Sequence, residues 1–206
     1  MFRELQMGSC HLQLPLSEED ARNLAVGDVV FLSGDGLQMT GAAHRRTLEY
    51  ASQGKQLPFD PKGLAIYHSY TCFTDHDGCI NCEFIGASTS TGCNAYEPEF
   101  VKRYGTRAII GKGGMDENTK EAFKEVGAVY LAQAGGCSVI CTEGVRKINQ
   151  KYWEDLGPNL VLHLTFQDLG PLIVAMDSKG NSLFDNMNEK LNDNLNAIRN
   201  EIDRKG

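Results

Sequence analysis

Four stretches of this 206-residue chain set reactive or ligand-binding side chains close together. Gly111-Lys112-Gly113-Gly114 stands between an apolar run and a helix pattern opening at Asp116. Glycines there would let the main chain approach a ligand, the helix terminus would offer N–H groups to an anion, and Lys112 would add a full positive charge. A plain glycine turn with a solvated lysine fits equally, and the spacing is not that of a nucleotide-binding Walker loop. Gly86-Ala87-Ser88-Thr89-Ser90-Thr91-Gly92 holds four hydroxyls between glycines. That is either a set of donors for a carboxylate or a surface loop of turn formers. Cys72, Cys79 and Cys82, with His68, Asp75, His76 and Asp77 nearby, include a C-x2-C pair suited to zinc or an iron–sulfur centre. Structural thiols packed against a partner are the other reading. His44 opens a helix pattern as a base or as a hydrogen-bonded structural residue, and Cys137 and Cys141, one helical turn apart, read as core thiols.

Around these stretches the pattern alternates between strand and helix. Ser17 caps a short helix that runs to Val26, with Glu18, Glu19 and Asp20 in its first turn. Val29–Leu32 reads as a strand, Gly41–Ser52 as a helix, Leu57–Gly63 as a loop and Leu64–Tyr67 as a strand. Residues 69–96 show little periodicity and are expected to be a long loop or loops, functional or disordered. Strands follow at Ala108–Ile110 and Val129–Leu131, with helices at Asp116–Val126 and Ser138–Ile148. Leu160–Phe166 and Leu172–Met176 are read as two further strands, the second closed by a turn at Ser178–Asn181. The tail from Asn186 to Lys205 is a polar helix whose Met187, Leu191, Leu195, Ile198 and Ile202 form a narrow stripe, for docking on this domain or on a partner.

Composition removes several classes of function. The formal charge is −7 and no basic stripe is visible, which argues against nucleic acid. Apolar runs such as Leu172–Met176 are far too short to span a bilayer. The opening Met1-Phe2-Arg3-Glu4-Leu5-Gln6 lacks the apolar run of a signal peptide, so a cytoplasmic protein with seven reduced cysteines is expected.

Taken in order, the segments resemble one family. Gly27–Gly34, Ala42-Ala43-His44-Arg45-Arg46, Gly54–Pro58 and Leu64–His68 look like the opening of the β-type domain of class I fumarases and L(+)-tartrate dehydratases. Gly86–Tyr96, Ile110–Gly113, Tyr130–Gly136 and Ala175–Phe184 continue in family order, so the likeness spans about residues 1–185. The resemblance implies an α/β fold: a swivelling β/β/α domain over 1–185 with a mixed central sheet or barrel flanked by helices, then a C-terminal helix over 186–206. It implies the β component of an iron–sulfur hydro-lyase, adding or removing water on a small hydroxy acid. An α subunit would hold a [4Fe-4S] cluster, whose open iron acts as the Lewis acid, and an oligomer is expected. By the same resemblance Ser88 handles the proton of the departing hydroxyl, His44 sits in the cleft, and Lys112 grips a substrate carboxylate. Thr89, Ser90, Gly113, Thr40 and Asn94 complete the substrate-binding set, with the 86–92 and 111–114 loops facing one cleft.

Two departures bear on the substrate. Thr40 stands where the family commonly has the arginine of R-D-A-A-H, and Gly92 where it has the arginine of G-P-T-T-x-x-R-M-D. Neither replaces a bidentate guanidinium–carboxylate pair, so a substrate other than an ordinary C4 dicarboxylate is expected, unless Arg45 or Arg46 restores the clamp. The alternative function is a non-catalytic or metal-binding relative, with zinc or an iron–sulfur centre on Cys72, Cys79 and Cys82.

Overall fold

The computed structural model describes residues 9–203. In chain order they form β1 (Ser9–Gln13), α1 (Glu18–Asn23), β2 (Val29–Met39), α2 (Gly41–Ser52), β3 (Ala65–His76) and β4 (Cys79–Ala87). A 3-10 turn (Ser90–Cys93) leads into α3 (Glu97–Tyr104), β5 (Ala108–Gly111), α4 (Glu117–Val126), β6 (Val129–Ala132), α5 (Ser138–Glu143) and β7 (Val145–Tyr152). A second 3-10 segment (Glu154–Asn159), β8 (Val161–Met176) and α6 (Leu183–Asp203) complete the chain.

Strands β2, β3, β5 and β6 run parallel. The long β8 pairs antiparallel with β6 on one side and with β2 on the other, closing a five-stranded mixed barrel. Closure depends on one residue. Gly36 pairs with Ala65 of β3 and with Leu164 of β8, and a Cβ there would lie 2.3 Å from the Phe166 ring and 2.9 Å from the Ala65 carbonyl.

Alternation along the strands divides the core in two. Ala65, Tyr67, Ala108, Ile110, Val129 and Leu131 point into the barrel. Ile66, Ile109 and Tyr130 point outward, against Ala43 of α2, Phe100 and Val101 of α3, and Ala122 and Phe123 of α4. The carboxyl ends of the parallel strands therefore meet these helices at one rim.

Three expectations need correction. Residues 69–96 are no long loop: β3 runs on to His76 and turns into β4 as an antiparallel hairpin, and the 3-10 turn follows. Short polar stretches hid its pairing, though Phe73, Ile80, Cys82 and Ala87 pack against the barrel core. The helix expected over 138–148 ends at Glu143, and Val145–Tyr152 is a strand. Register shifts in its pairing with β8 space the buried Val145 and Ile148 three apart, which mimics a helical period. Residues 160–176 are one strand, because Gly170 and Pro171 fall between the pairs Leu32–Leu169 and Val30–Leu172, at a bulge that needs no proline donor.

The capping box predicted for α1 is formed, with Ser17 and Asp20 satisfying each other's main-chain N–H. Helix α6 starts at Leu183, and its apolar stripe is exposed from Met187 to Ile202 rather than docked on the barrel. The last residues of the helix expected over 186–206, from 204 onward, lie outside the described residues. No helix among the described residues is long and apolar enough to cross a membrane.

Candidate functional site

The rim of the barrel carries the hydroxyl loop and the lysine loop side by side. The chain from Ser88 to Ser90 is laced between β3 and β5. Ser88 N–H donates to the His68 carbonyl at 2.7 Å, Lys112 N–H to the Ser88 carbonyl at 3.2 Å, and Ser90 N–H to the Lys112 carbonyl at 2.9 Å. Thr89 and Lys112 form a parallel bridge. Ser88 is half-buried, while Thr89, Lys112 and Gly113 are exposed. Among the described residues the Lys112 ammonium makes no ion pair, and the Ser88 hydroxyl makes no hydrogen bond. A free cation and a free hydroxyl thus share one edge.

The terminus of α4 plays a different part from the one its position suggested. The Asp116 carboxylate accepts from the Thr119 N–H at 3.0 Å and from the Thr119 hydroxyl at 2.8 Å, so this helix end already holds an anion. Asn94 accepts the Asp116 N–H at 3.3 Å, tying the hydroxyl loop to α4 rather than reaching for substrate.

His44, Thr40 and Ser90 lie under the rim and not on its open face. Their exposures are 0%, 5% and 0%. They belong to a buried polar network with His68, Glu97 and Tyr130. His44 Nδ1–H donates to the Thr40 carbonyl at 2.9 Å. His44 Nε2 and His68 Nε2 each lie 3.2 Å from the same oxygen, Oε2 of Glu97. These are ion-pair distances without hydrogen-bond geometry, and both carboxylate oxygens and both Nε2 atoms lack a hydrogen-bond partner. His68 Nδ1 meets Ser90 Oγ at 2.9 Å, and the Tyr130 hydroxyl donates to that oxygen at 3.0 Å. The Thr40 hydroxyl has no hydrogen-bond partner.

Burial works against charge on all three ionisable groups, and the partners decide the outcome. For Glu97 the two imidazoles outweigh burial and hold the carboxyl well below its usual range. For His44 burial is outweighed by the Glu97 carboxylate and the Thr40 carbonyl, so its pKa is raised. For His68 burial prevails, reinforced by His44, and its pKa is lowered. The directions thus differ within the network: the Glu97 carboxylate favours a proton on His44, and burial disfavours one on His68. Burial and the Glu97 charge push the Cys93 thiol up.

The register explains how these groups meet. Gly111 of β5 pairs with Ala132 of β6, and Ser90 Oγ occupies the space its side chain would take, beside His68 and Tyr130. A Cβ on Gly111 would stand 2.0 Å from that oxygen and 3.2 Å from the Tyr130 hydroxyl. Gly111→Ala is accordingly expected to push the 88–93 turn off the rim and cost about 1–3 kcal/mol. Thermal melts check the stability, and loss of His68–Ser90 contact in a variant structure checks the cause. A variant that melts like the parent with Ser90 in place would contradict the packing argument.

The two neighbouring arginines make ion pairs of their own. Arg45 pairs with Glu49 at 3.7 Å, and Arg46 is held by Asp155 at 2.7 Å with its guanidinium over Trp153. The cysteine trio lies on the hairpin: Cys72 is exposed, Cys82 packs against the core beside Phe73, and the side chain of Cys79 lies outside the described residues. Among the described residues the one group of metal-ligating side chains that closes on a single point is elsewhere, at His44, His68, Cys93 and Glu97. Glu97 and Cys93 were not legible as site residues. Their i,i+4 spacing acquires meaning only once the 3-10 turn runs into α3 beneath two distant histidines.

One hollow lies elsewhere, between the hairpin tip and β7, around Asp77, Cys82 and Asn149. Ser88 and Lys112 stand on an open face, ready to be covered by something else.

Residues 3–187 match the family model described as "Fumarase C-terminus". The chain is 37% identical over 185 residues to "Putative L(+)-tartrate dehydratase subunit beta" of Methanocaldococcus jannaschii, covering 89% of this chain and 95% of that protein. It is 31% identical over 173 residues to the L(+)-tartrate dehydratase subunit beta of Escherichia coli, covering 84% of this chain and 85% of the relative. "Putative fumarate hydratase class I" of Geobacillus stearothermophilus is 31% identical over 193 residues, which span 93% of this chain and 36% of the longer protein.

Proposed function

The chain belongs to the Fumarase C-terminus family, and on that premise we propose that it is the β component of a two-component hydro-lyase acting on a small hydroxy acid. The observation that carries this reading is the rim itself, where Lys112 and the Ser88 hydroxyl, without an ion pair or hydrogen bond among the described residues, are held together by main-chain hydrogen bonds.

The α subunit contributes the [4Fe-4S] cluster, which supplies Lewis acidity at the substrate hydroxyl when bound. The residues of this chain fit the other half of such a site. Its described cysteines are spread over β1, β3, β4, the 3-10 turn and the neighbourhood of α5. The single convergent ligand set contains one thiol, whereas clusters of this kind are held by several thiolates.

Lys112 anchors a substrate carboxylate as a point charge. Thr89 and Gly113, exposed beside it, offer a hydroxyl and a main-chain N–H to the same group. Ser88 holds or passes the proton at its Oγ, from a main chain pinned on both sides so that the hydroxyl meets the hydroxyl-bearing carbon in one orientation. The partner's surface closes over this face and excludes water from it.

The substrate is gripped through one carboxylate. A second carboxylate finds no guanidinium, because Thr40 and Gly92 carry none, and Arg45 and Arg46 are engaged elsewhere. Each missing charge-assisted pair forfeits about 1.5–3 kcal/mol. In steady-state kinetics of the two-chain complex, hydroxy acids with a single carboxylate and a neutral distal group should therefore outcompete malate, fumarate and tartrate by at least about tenfold in kcat/KM. Efficient turnover of a C4 dicarboxylate, with KM in the usual range of about 1 μM–1 mM, would contradict the assignment.

A further inference from the structure

We infer that His44, His68, Cys93 and Glu97 form a buried binding site for one divalent transition-metal ion, zinc by its donor chemistry. The site lies under the rim and is separate from any cluster contributed by a partner.

The four donor atoms all lie within 4.8 Å of one another, and all four residues are buried. Both imidazole Nε2 atoms stand 3.2 Å from Glu97 Oε2. Zinc bonds of about 2.0–2.1 Å to nitrogen or oxygen and about 2.3 Å to sulfur give a tetrahedron with edges of roughly 3.3–3.6 Å. The donors therefore need to move by about an ångström at most to close on an ion.

The hydrogen bonds around the set point the same way. Buried polar atoms are almost always partnered, yet both Nε2 atoms and both Glu97 oxygens are not. Each ring is fixed through its other nitrogen: His44 Nδ1 on the Thr40 carbonyl and His68 Nδ1 on Ser90 Oγ, both at 2.9 Å. Metal-ligating histidines are held in this way, with Nδ1–H donated to an oxygen and the Nε2 lone pair left for the ion.

The charges also balance. Two neutral imidazoles, one thiolate, one carboxylate and a divalent cation sum to zero, so no net charge is buried. A bound cation draws the proton from the thiol it ligates. Nitrogen and sulfur donors select zinc over calcium or magnesium, and four protein ligands leave no open position, which makes the site structural. It would join α2, the first half of β3, the 3-10 turn and the start of α3, and fasten the turn behind Ser88.

The test uses the full chain, purified without a polyhistidine tag, with zinc counted by mass spectrometry and cobalt(II) substituted as the optical probe. The inference expects about one zinc per folded chain. It expects a thiolate-to-cobalt charge-transfer band in the near ultraviolet that Cys93→Ser removes and Cys82→Ser keeps. It also expects a melting temperature that falls on chelation and recovers with zinc. A cooperatively folded chain holding less than about a tenth of an equivalent of zinc and giving no thiolate band with cobalt would overturn it, whatever the variants do. So would a band that survives Cys93→Ser and disappears with Cys82→Ser.

Discussion

Lys112→Gln in the assembled enzyme is expected to lower kcat/KM by about 10- to 150-fold, the kinetic equivalent of losing one charge-assisted hydrogen bond of about 1.5–3 kcal/mol. Lys112 is exposed and makes no ion pair among the described residues, so the variant should melt at the parent temperature. Most of the loss should fall on KM, because the carboxylate it holds is charged before and after water leaves. Ser88→Ala should differ in kind, lowering kcat with little change in KM. If Lys112→Gln retained parental kcat/KM, the rim would not be the carboxylate site.

The second large effect is on stability. Glu97→Ala removes the carboxylate that faces both His44 and His68, all three fully buried. Removing one partner of a buried charged set costs about 3–5 kcal/mol, because the other is left uncompensated. At about 2–4 °C per kcal/mol for a domain of this size, the melting temperature should fall by about 6–20 °C. Glu97→Gln keeps the shape and loses the charge, and should fall in between. A fall of less than about 2 °C for the alanine variant would mean that the network carries little of the stability assigned to it.

Much of the fold was legible because its strands announce themselves. Val29–Leu32, Leu64–Tyr67, Ala108–Ile110 and Val129–Leu131 are short apolar runs bounded by glycine, as parallel strands covered on both faces must be. What escaped was pairing that breaks the period. The hairpin of β3 and β4, and β7 with its register shifts, bury apolar residues at irregular spacing, and Gly170-Pro171 divides a strand that a bulge keeps whole.

The site divides the same way. The neighbourhood of the Ser88 and Lys112 loops was legible because glycines and hydroxyls in a loop are local signals. The roles of His44, Ser90 and Thr40 were not, because burial depends on which helices cover the outer face of β3, β5 and β6. Nothing local connects Glu97 to His68. The missing side chain of Gly111 does, by leaving beside His68 the space into which Ser90 fits.

If this chain supplies half of an active site, an anaerobic assay of hydroxy-acid dehydration will separate the isolated chain from the chain co-purified with the proposed cluster-bearing α subunit. Turnover is expected from the two-chain complex alone, abolished when the cluster is lost. Robust turnover by the isolated, iron-free chain would contradict it.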